Sequence, residues 1–322
     1  MYAQKTDVVV MNNGDRITGE IKKLQYGLLT FKTDDAGTLS IKWDKITSLK
    51  GKETFEVETE TGNVYYGSFQ ESALSDTLVI ATDLFRFEVV KQSVVSIIPI
   101  KNNFLKRLDG SVGAGLSYSK ATTLGQMNFY SDIIYRTKKI YTSFSYDGNF
   151  SSQEEQDPTR RQEFTYNFLR IFPNKWFWGA QTGFEQNSEL GLDLRLNIGV
   201  GGGRDLIQTN RNVLQALVGV QGISEWLNGE GTSIRNLEGI INLDYSLFKY
   251  DSPKSNITLN FSAYPGLTDL GRFRSNTNVT ISQEIIKDFT VGLTFYNSYD
   301  NKPAEGAEKN DWGITTTIGY TF

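Results

Sequence analysis

Residues 311–322 read DWGITTTIGYTF. Trp312, Ile314, Thr316, Ile318, Tyr320 and Phe322 share one parity, and Asp311, Gly313, Thr315, Thr317, Gly319 and Thr321 share the other. Side chains alternate between the two faces of a strand, so this stretch carries one apolar face and one small or polar face. An apolar face closing on aromatic residues, set against a polar one, suits a membrane barrel strand with lipid outside and a lumen inside. On that reading Tyr320 and Phe322 form the membrane-insertion signal.

The same parity returns upstream. Twelve segments carry it, at approximately 108–120, 126–137, 140–151, 161–172, 176–187, 190–204, 212–224, 234–246, 256–268, 272–285, 289–298 and 311–322. Near 190–204, Leu192, Leu194, Leu196, Ile198 and Val200 alternate with Asp193, Arg195 and Asn197. Near 234–246, Leu237, Ile241, Leu243 and Tyr245 oppose Asn236, Glu238, Asn242 and Asp244. A soluble β-sandwich alternates too. Its exposed face would be rich in lysine, whereas here the polar parity is rich in Gly, Ser, Thr and Asn. The reading is therefore all-β, with an antiparallel transmembrane barrel of about 12 strands over 106–322. Tight connections such as Lys138-Lys139 and Pro173-Asn174-Lys175 alternate with long ones such as SQEEQDPTR and YDNKPAEGAEKN. This places both termini on the short-turn side, which is the periplasmic side of an outer-membrane barrel.

Composition narrows the function classes. The 322 residues include 20 Phe, 16 Tyr, 5 Trp and 30 Gly, with no Cys and no His. No run of 18 apolar residues exists, so a spanning helix is not encoded. The missing residues remove disulfides, thiolate chemistry, Ser-His-Asp and Cys-His arrangements and the usual zinc ligands. The expectation is a protein that is not an enzyme and has no cofactor. A net charge of −4 gives no reason to expect nucleic acid. Met1-Tyr2-Ala3 reads as the end of a signal cleaved after Ala3, or as a start methionine.

The amino-terminal third has a different texture. Short strand-like segments (VVVM, RITGEI, LLTFKT, TLSIKW) recur at an offset of 48 residues, with Gly14 and Gly19 matched by Gly62 and Gly67, and Ile21 by Phe69. This is an internal duplication, read as two small barrel-like modules of the Sm or SH3 type over 1–50 and 51–105. An Sm-like fold would suggest RNA, but residues 1–107 hold 14 basic and 14 acidic residues, and phosphate binding needs an excess of the former.

Asp132, Arg136, Asp147, Glu163, Glu185, Asp193, Arg195, Glu238, Asp244, Arg274 and Glu284 all fall on the polar parity. They would either line a narrow pore for ions or small polar solutes or pair into a network that plugs the barrel. Acidic loops at Glu154 to Asp157 and Glu305 to Asp311 are read as divalent-cation ligands or as solvated charge. GVGGGRD, Gly199 to Asp205, lacks the lysine and hydroxyl ending of a phosphate loop, so close packing is the better use of its glycines.

With these parts in view, the chain resembles the salt-induced outer-membrane protein family, whose function is unassigned. The carrying stretches are NGDRITGEI (13–21), RLDGSVGAGLSYSKATT (107–123), RIFPNKWFWGAQTGFEQN (170–187) with LGLDLRLNIGVGGGRDLI, and GITTTIGYTF. The resemblance implies a fold and a bacterial outer-membrane location, with the amino-terminal region in the periplasm, and brings no catalytic residues. The expected function is a non-enzymatic scaffold or envelope-maintenance protein, with a small passive pore as the alternative. Expected partners are outer-membrane lipid and lipopolysaccharide, the β-barrel assembly machinery during insertion, and a periplasmic protein or peptidoglycan.

Overall fold

The computed structural model describes residues 6–72, 74, 76–82, 84–100, 104, 107–137, 139–154, 157–188, 192–227, 233–302 and 308–321. The expectations resting on Ala3, Glu155, Gln156, Glu305 and Phe322 lie outside them. The described residues are all-β, in two sheets.

The amino-terminal unit contains β1 (Asp7–Met11), β2 (Arg16–Gln25), β3 (Leu28–Lys32), β4 (Thr38–Lys42), β5 (Ile46–Thr59), β6 (Val64–Gln70), β7 (Thr77–Ala81), β8 (Arg86–Val90) and β9 (Val94–Pro99). The repeat is visible in its elements. Thr38 and Arg86 open equivalent strands, Trp43 and Lys91 open equivalent 3₁₀ turns, and Ile46 and Val94 open the strands that follow. β5 runs unbroken through Gly51, with a register shift between Gly51 and Phe55, and so belongs to both halves. Antiparallel pairings of β1 with β2, β2 with β9, β9 with β5 and β5 with β1 close a four-stranded ring. Apolar residues alternate inward from both halves into one core, in which Ile21, Leu24, Phe31, Phe55, Val57 and Ile97 are fully buried. Each such side chain contributes roughly 1.5–3 kcal/mol of transfer free energy.

The second sheet holds β10 (Leu108–Ser119), β11 (Leu124–Arg136), β12 (Ile140–Ser152), β13 (Thr159–Ile171), β14 (Trp176–Asn187), β15 (Leu192–Gln208), β16 (Asn212–Leu227), β17 (Ile234–Lys249), β18 (Ser255–Pro265), β19 (Phe273–Ile286), β20 (Phe289–Asp300) and β21 (Asn310–Tyr320). Every strand pairs antiparallel with its sequence neighbours, in simple consecutive order.

This order corrects the expected architecture. β10 pairs with β11 and β21 pairs with β20, but β10 and β21 do not pair with each other, so the twelve-stranded sheet is open. Among the described residues the closed ring is the small one formed within residues 7–99. The transmembrane barrel, its porin-like lumen, its outer-membrane setting and its periplasmic amino-terminal region all rested on closure of the larger sheet and fall with it. The physical reason is that period-two alternation is the same for an open two-faced sheet and for a barrel wall. Closure is a backbone pairing between the first and last strands, which no side-chain pattern spells out. Among the described residues no helix is long and apolar enough to cross a membrane.

Candidate functional site

Register carries the two parities across the whole sheet. Starting at the free edge, Gly113 lies opposite Tyr130, Tyr130 opposite Asp147, Asp147 opposite Glu163, Glu163 opposite Glu185, Glu185 opposite Arg195, and Arg195 opposite Glu225. Further along, Asp244 lies opposite Asn260, Asn260 opposite Asn278, Asn278 opposite Tyr296, and Tyr296 opposite Gly313. One parity is therefore kept from edge to edge, and the charged residues gather on its face. Asp132, Arg136, Asp147, Glu163, Glu185, Arg195, Glu238, Asp244, Arg274 and Glu284 stand on it, while Asp193 sits where the β15 register shifts between Leu192 and Leu194. They line a face, not an enclosed channel.

Several of these charges are paired. Arg195 bridges two neighbouring strands, with Nη1 2.7 Å from Glu185 Oε2 and Nε 2.8 Å from Glu225 Oε1. Glu238, 3% exposed, receives Arg274 through both of its oxygens and Gln221 Nε2 at 3.1 Å. Asp244 accepts from Asn260 Nδ2 at 2.7 Å. Glu284, 2% exposed, accepts the backbone N–H of Lys254 at 2.8 Å and of Asp288 at 3.0 Å. A side-chain hydrogen bond from Ser252 and these two amides hold its carboxyl down at about 2. It thereby ties the turn after β17 to the turn after β19. Among the described residues no group of three or more His, Cys, Asp or Glu could hold a metal ion.

The opposite face is apolar and uncovered. Leu116 on β10 is 82% exposed, Ile198 on β15 64%, Val218 on β16 62% and Ile318 on β21 71%. Aromatic residues stand at both rims of this aliphatic band. Trp176, Trp178 and Tyr320 lie at the short-turn end, and Tyr118, Trp226 and Trp312 at the other. Tyr320 pairs in register with Phe289.

The amino-terminal unit docks on the short-turn end and leaves that band free. The turn after β15 supplies Asn210, whose Nδ2 donates to the carbonyls of Val94 at 2.8 Å and Gln92 at 3.3 Å. The turn after β13 supplies Lys175, which donates to the Glu60 carbonyl at 2.6 Å. In the turn after β17, Asp251 receives Lys42 at 2.8 Å, and that hydrogen bond holds its carboxyl below the ordinary range. Tyr250 donates its hydroxyl to the Tyr26 carbonyl at 2.8 Å, while the Tyr26 ring meets Phe248 edge-on with centroids 5.3 Å apart. Burial at this seam pushes Glu58 up, an effect Lys175 opposes. The seam contacts leave no trace in the sequence pattern. They join residues some 115 to 224 positions apart by way of turn side chains that carry no periodic signal.

A family model described as "Protein of unknown function, DUF481" matches residues 112–322, almost the whole of the twelve-stranded sheet and more than half of the chain. The expected salt-induced outer-membrane family implied a barrel in these residues, and the open sheet found there overturns that implication. No curated protein and no solved structure matches.

Proposed function

We propose, from the premise that this chain belongs to the DUF481 family of proteins of unknown function, that it is a non-enzymatic lipid-contacting protein whose uncovered sheet face lies against acyl chains. The observation that carries this reading is the exposure of large aliphatic side chains on β10, β15, β16 and β21 together, with no second layer over them among the described residues. A sheet with one apolar face ordinarily buries it against another layer. Exposed apolar patches beyond a few hundred Å² mark interaction surfaces. Acyl chains suit the aliphatic centre, and aromatic side chains with a polar tip suit the boundary between lipid and water at either rim. The non-enzymatic part is supported by a sequence without histidine or cysteine.

Tryptophan reports on this face directly. Trp176, Trp178, Trp226 and Trp312 belong to it, whereas Trp43 is buried in the amino-terminal core. Mixed with vesicles of phosphatidylcholine carrying brominated acyl chains, with and without lipopolysaccharide, the protein is expected to lose most of its tryptophan emission. Unbrominated vesicles should shift the emission to shorter wavelength without quenching it. Ile198→Lys together with Val218→Lys should weaken the quenching. Equal emission in brominated and unbrominated vesicles would reject the lipid reading.

A further inference from the structure

On the polar face, at the seam, lies a cavity of about 440 Å³, within the range of roughly 300–1,000 Å³ usual for small-molecule sites. We infer that it is a saccharide-binding site, taking a neutral sugar of one or two pyranose rings. One wall is aromatic. Phe248 has Tyr26 edge-on to it at 5.3 Å and Tyr250 stacked near it at 5.8 Å. A pyranose ring offers an apolar C–H face to such a wall and hydroxyl groups around its edge, which are matched by small neutral side chains.

Those side chains are present. Asn256 and Ser282 follow Phe248 in one register row, and Ser246 and Thr258 face each other in the next. Among the described residues, none of these four side chains makes a hydrogen bond, although Ser246, Thr258 and Ser282 are half-buried. Half-buried hydroxyl groups with unused capacity call for water or a ligand. The acid in the wall, Glu284, is already committed to two backbone amides and lies 3.6 Å from the Lys254 ammonium. Lys249 also lines the cavity, and the neutral ligand is matched to the uncharged Ser246, Asn256, Thr258 and Ser282 rather than to these charges. Tyr26 reaches the cavity from the turn between β2 and β3, so the wall is complete only while the amino-terminal unit is docked.

The site is independent of the apolar face, and its test separates the two. Cellobiose, neutral and without an alkyl chain, is titrated into the full-length protein by calorimetry and by saturation-transfer NMR. Saturable binding is expected, with transfer strongest at the ring C–H protons that pack on the aromatic wall. Thr258→Val together with Ser282→Ala removes two hydroxyl groups from a half-buried surface and should weaken binding about tenfold or more, with the melting temperature unchanged. Octyl glucoside below its micellar concentration separates a free sugar from a glycolipid headgroup. If both ligands bind and both are weakened by the double variant, the sugar ring is what is recognised. Absence of cellobiose binding up to its solubility limit, binding indifferent to the double variant, or binding of octyl glucoside alone would overturn the inference.

Discussion

The indole N–H of Trp43 donates to the backbone carbonyl of Lys91 at 3.0 Å, and the two residues open equivalent 3₁₀ turns in the two halves of the repeat. The Lys91 ammonium, with its residue only 3% exposed, donates in turn to the carbonyl of Ile46. Each half thus satisfies a buried carbonyl of the other. Trp43→Phe keeps much of the ring volume but leaves the Lys91 carbonyl without this donor. It should lower the unfolding free energy by about 1–3 kcal/mol in urea titration. A loss of only a few tenths would mean that water replaces the indole at no cost.

Gly19 and Gly67 are repeat partners, and both lie where a neighbouring strand passes too close for a side chain. A Cβ would stand 2.6 Å from the Lys32 carbonyl oxygen at Gly19 and 2.5 Å from that of Ala81 at Gly67. Backbone cannot swing away as a flexible side chain can. Gly19→Ala and Gly67→Ala should each destabilise by roughly 1–3 kcal/mol, read by thermal unfolding. Similar losses at the two sites are expected, and a neutral result at either would show that its strand can shift.

The twelve strands lie where alternation places them, with ends moved by no more than four residues. Parity is a local property of the backbone, so Leu196, Ile198 and Val200 announce one face and Arg195 and Asn197 the other without any knowledge of neighbouring strands. That is why the lumen candidates other than Asp193, which sits at the β15 register shift, fall on one side. Whether Leu108–Ser119 meets Asn310–Tyr320 is settled by curvature summed over twelve strands, and no residue pair in either strand encodes it. The ring of the amino-terminal unit was hidden for a related reason. It closes through Leu24 opposite Ile97, a pairing across the repeat rather than within one copy. The sugar cavity was illegible because Tyr26 and Phe248 come from different units.

Glu284 gives the protein an acid-sensitive clasp between two turns. Its carboxyl is held at about 2, below the ordinary 4.5, so the folded state favours the ionised form. The stabilisation is complete above the ordinary value and is lost as pH falls from about 4.5 through about 2. Glu284→Gln should remove this part of the pH dependence, flattening the fall in melting temperature across that window while lowering stability at neutral pH. An unchanged acid limb in the variant would assign the acid sensitivity to other carboxylates.

At the seam, Gly27 adopts φ 69°, and a Cβ there would stand 2.6 Å from the Asn210 carbonyl oxygen. Gly27→Ala combines a strained backbone with a blocked approach. It should loosen docking without unfolding the core around Phe31. Hydrogen exchange is expected to quicken at the Trp43 amide, which donates to the Gly27 carbonyl, while the amides of β1 stay protected. Uniform loss of protection would mean that the seam and the core open as one unit.

The consecutive strand order of the large sheet has a kinetic consequence. Each of its eleven strand pairings joins sequence neighbours, so the loop closed at every step is short. The amino-terminal ring instead waits for β9, which must return across about seventy residues to meet Leu24. We expect the larger sheet to zip rapidly from hairpin to hairpin and the smaller unit to be the slower to complete. Pulse-labelled hydrogen exchange during refolding should therefore protect amides of β15 and β16 before that of Ile97, and the reverse order would place the nucleus in the ring.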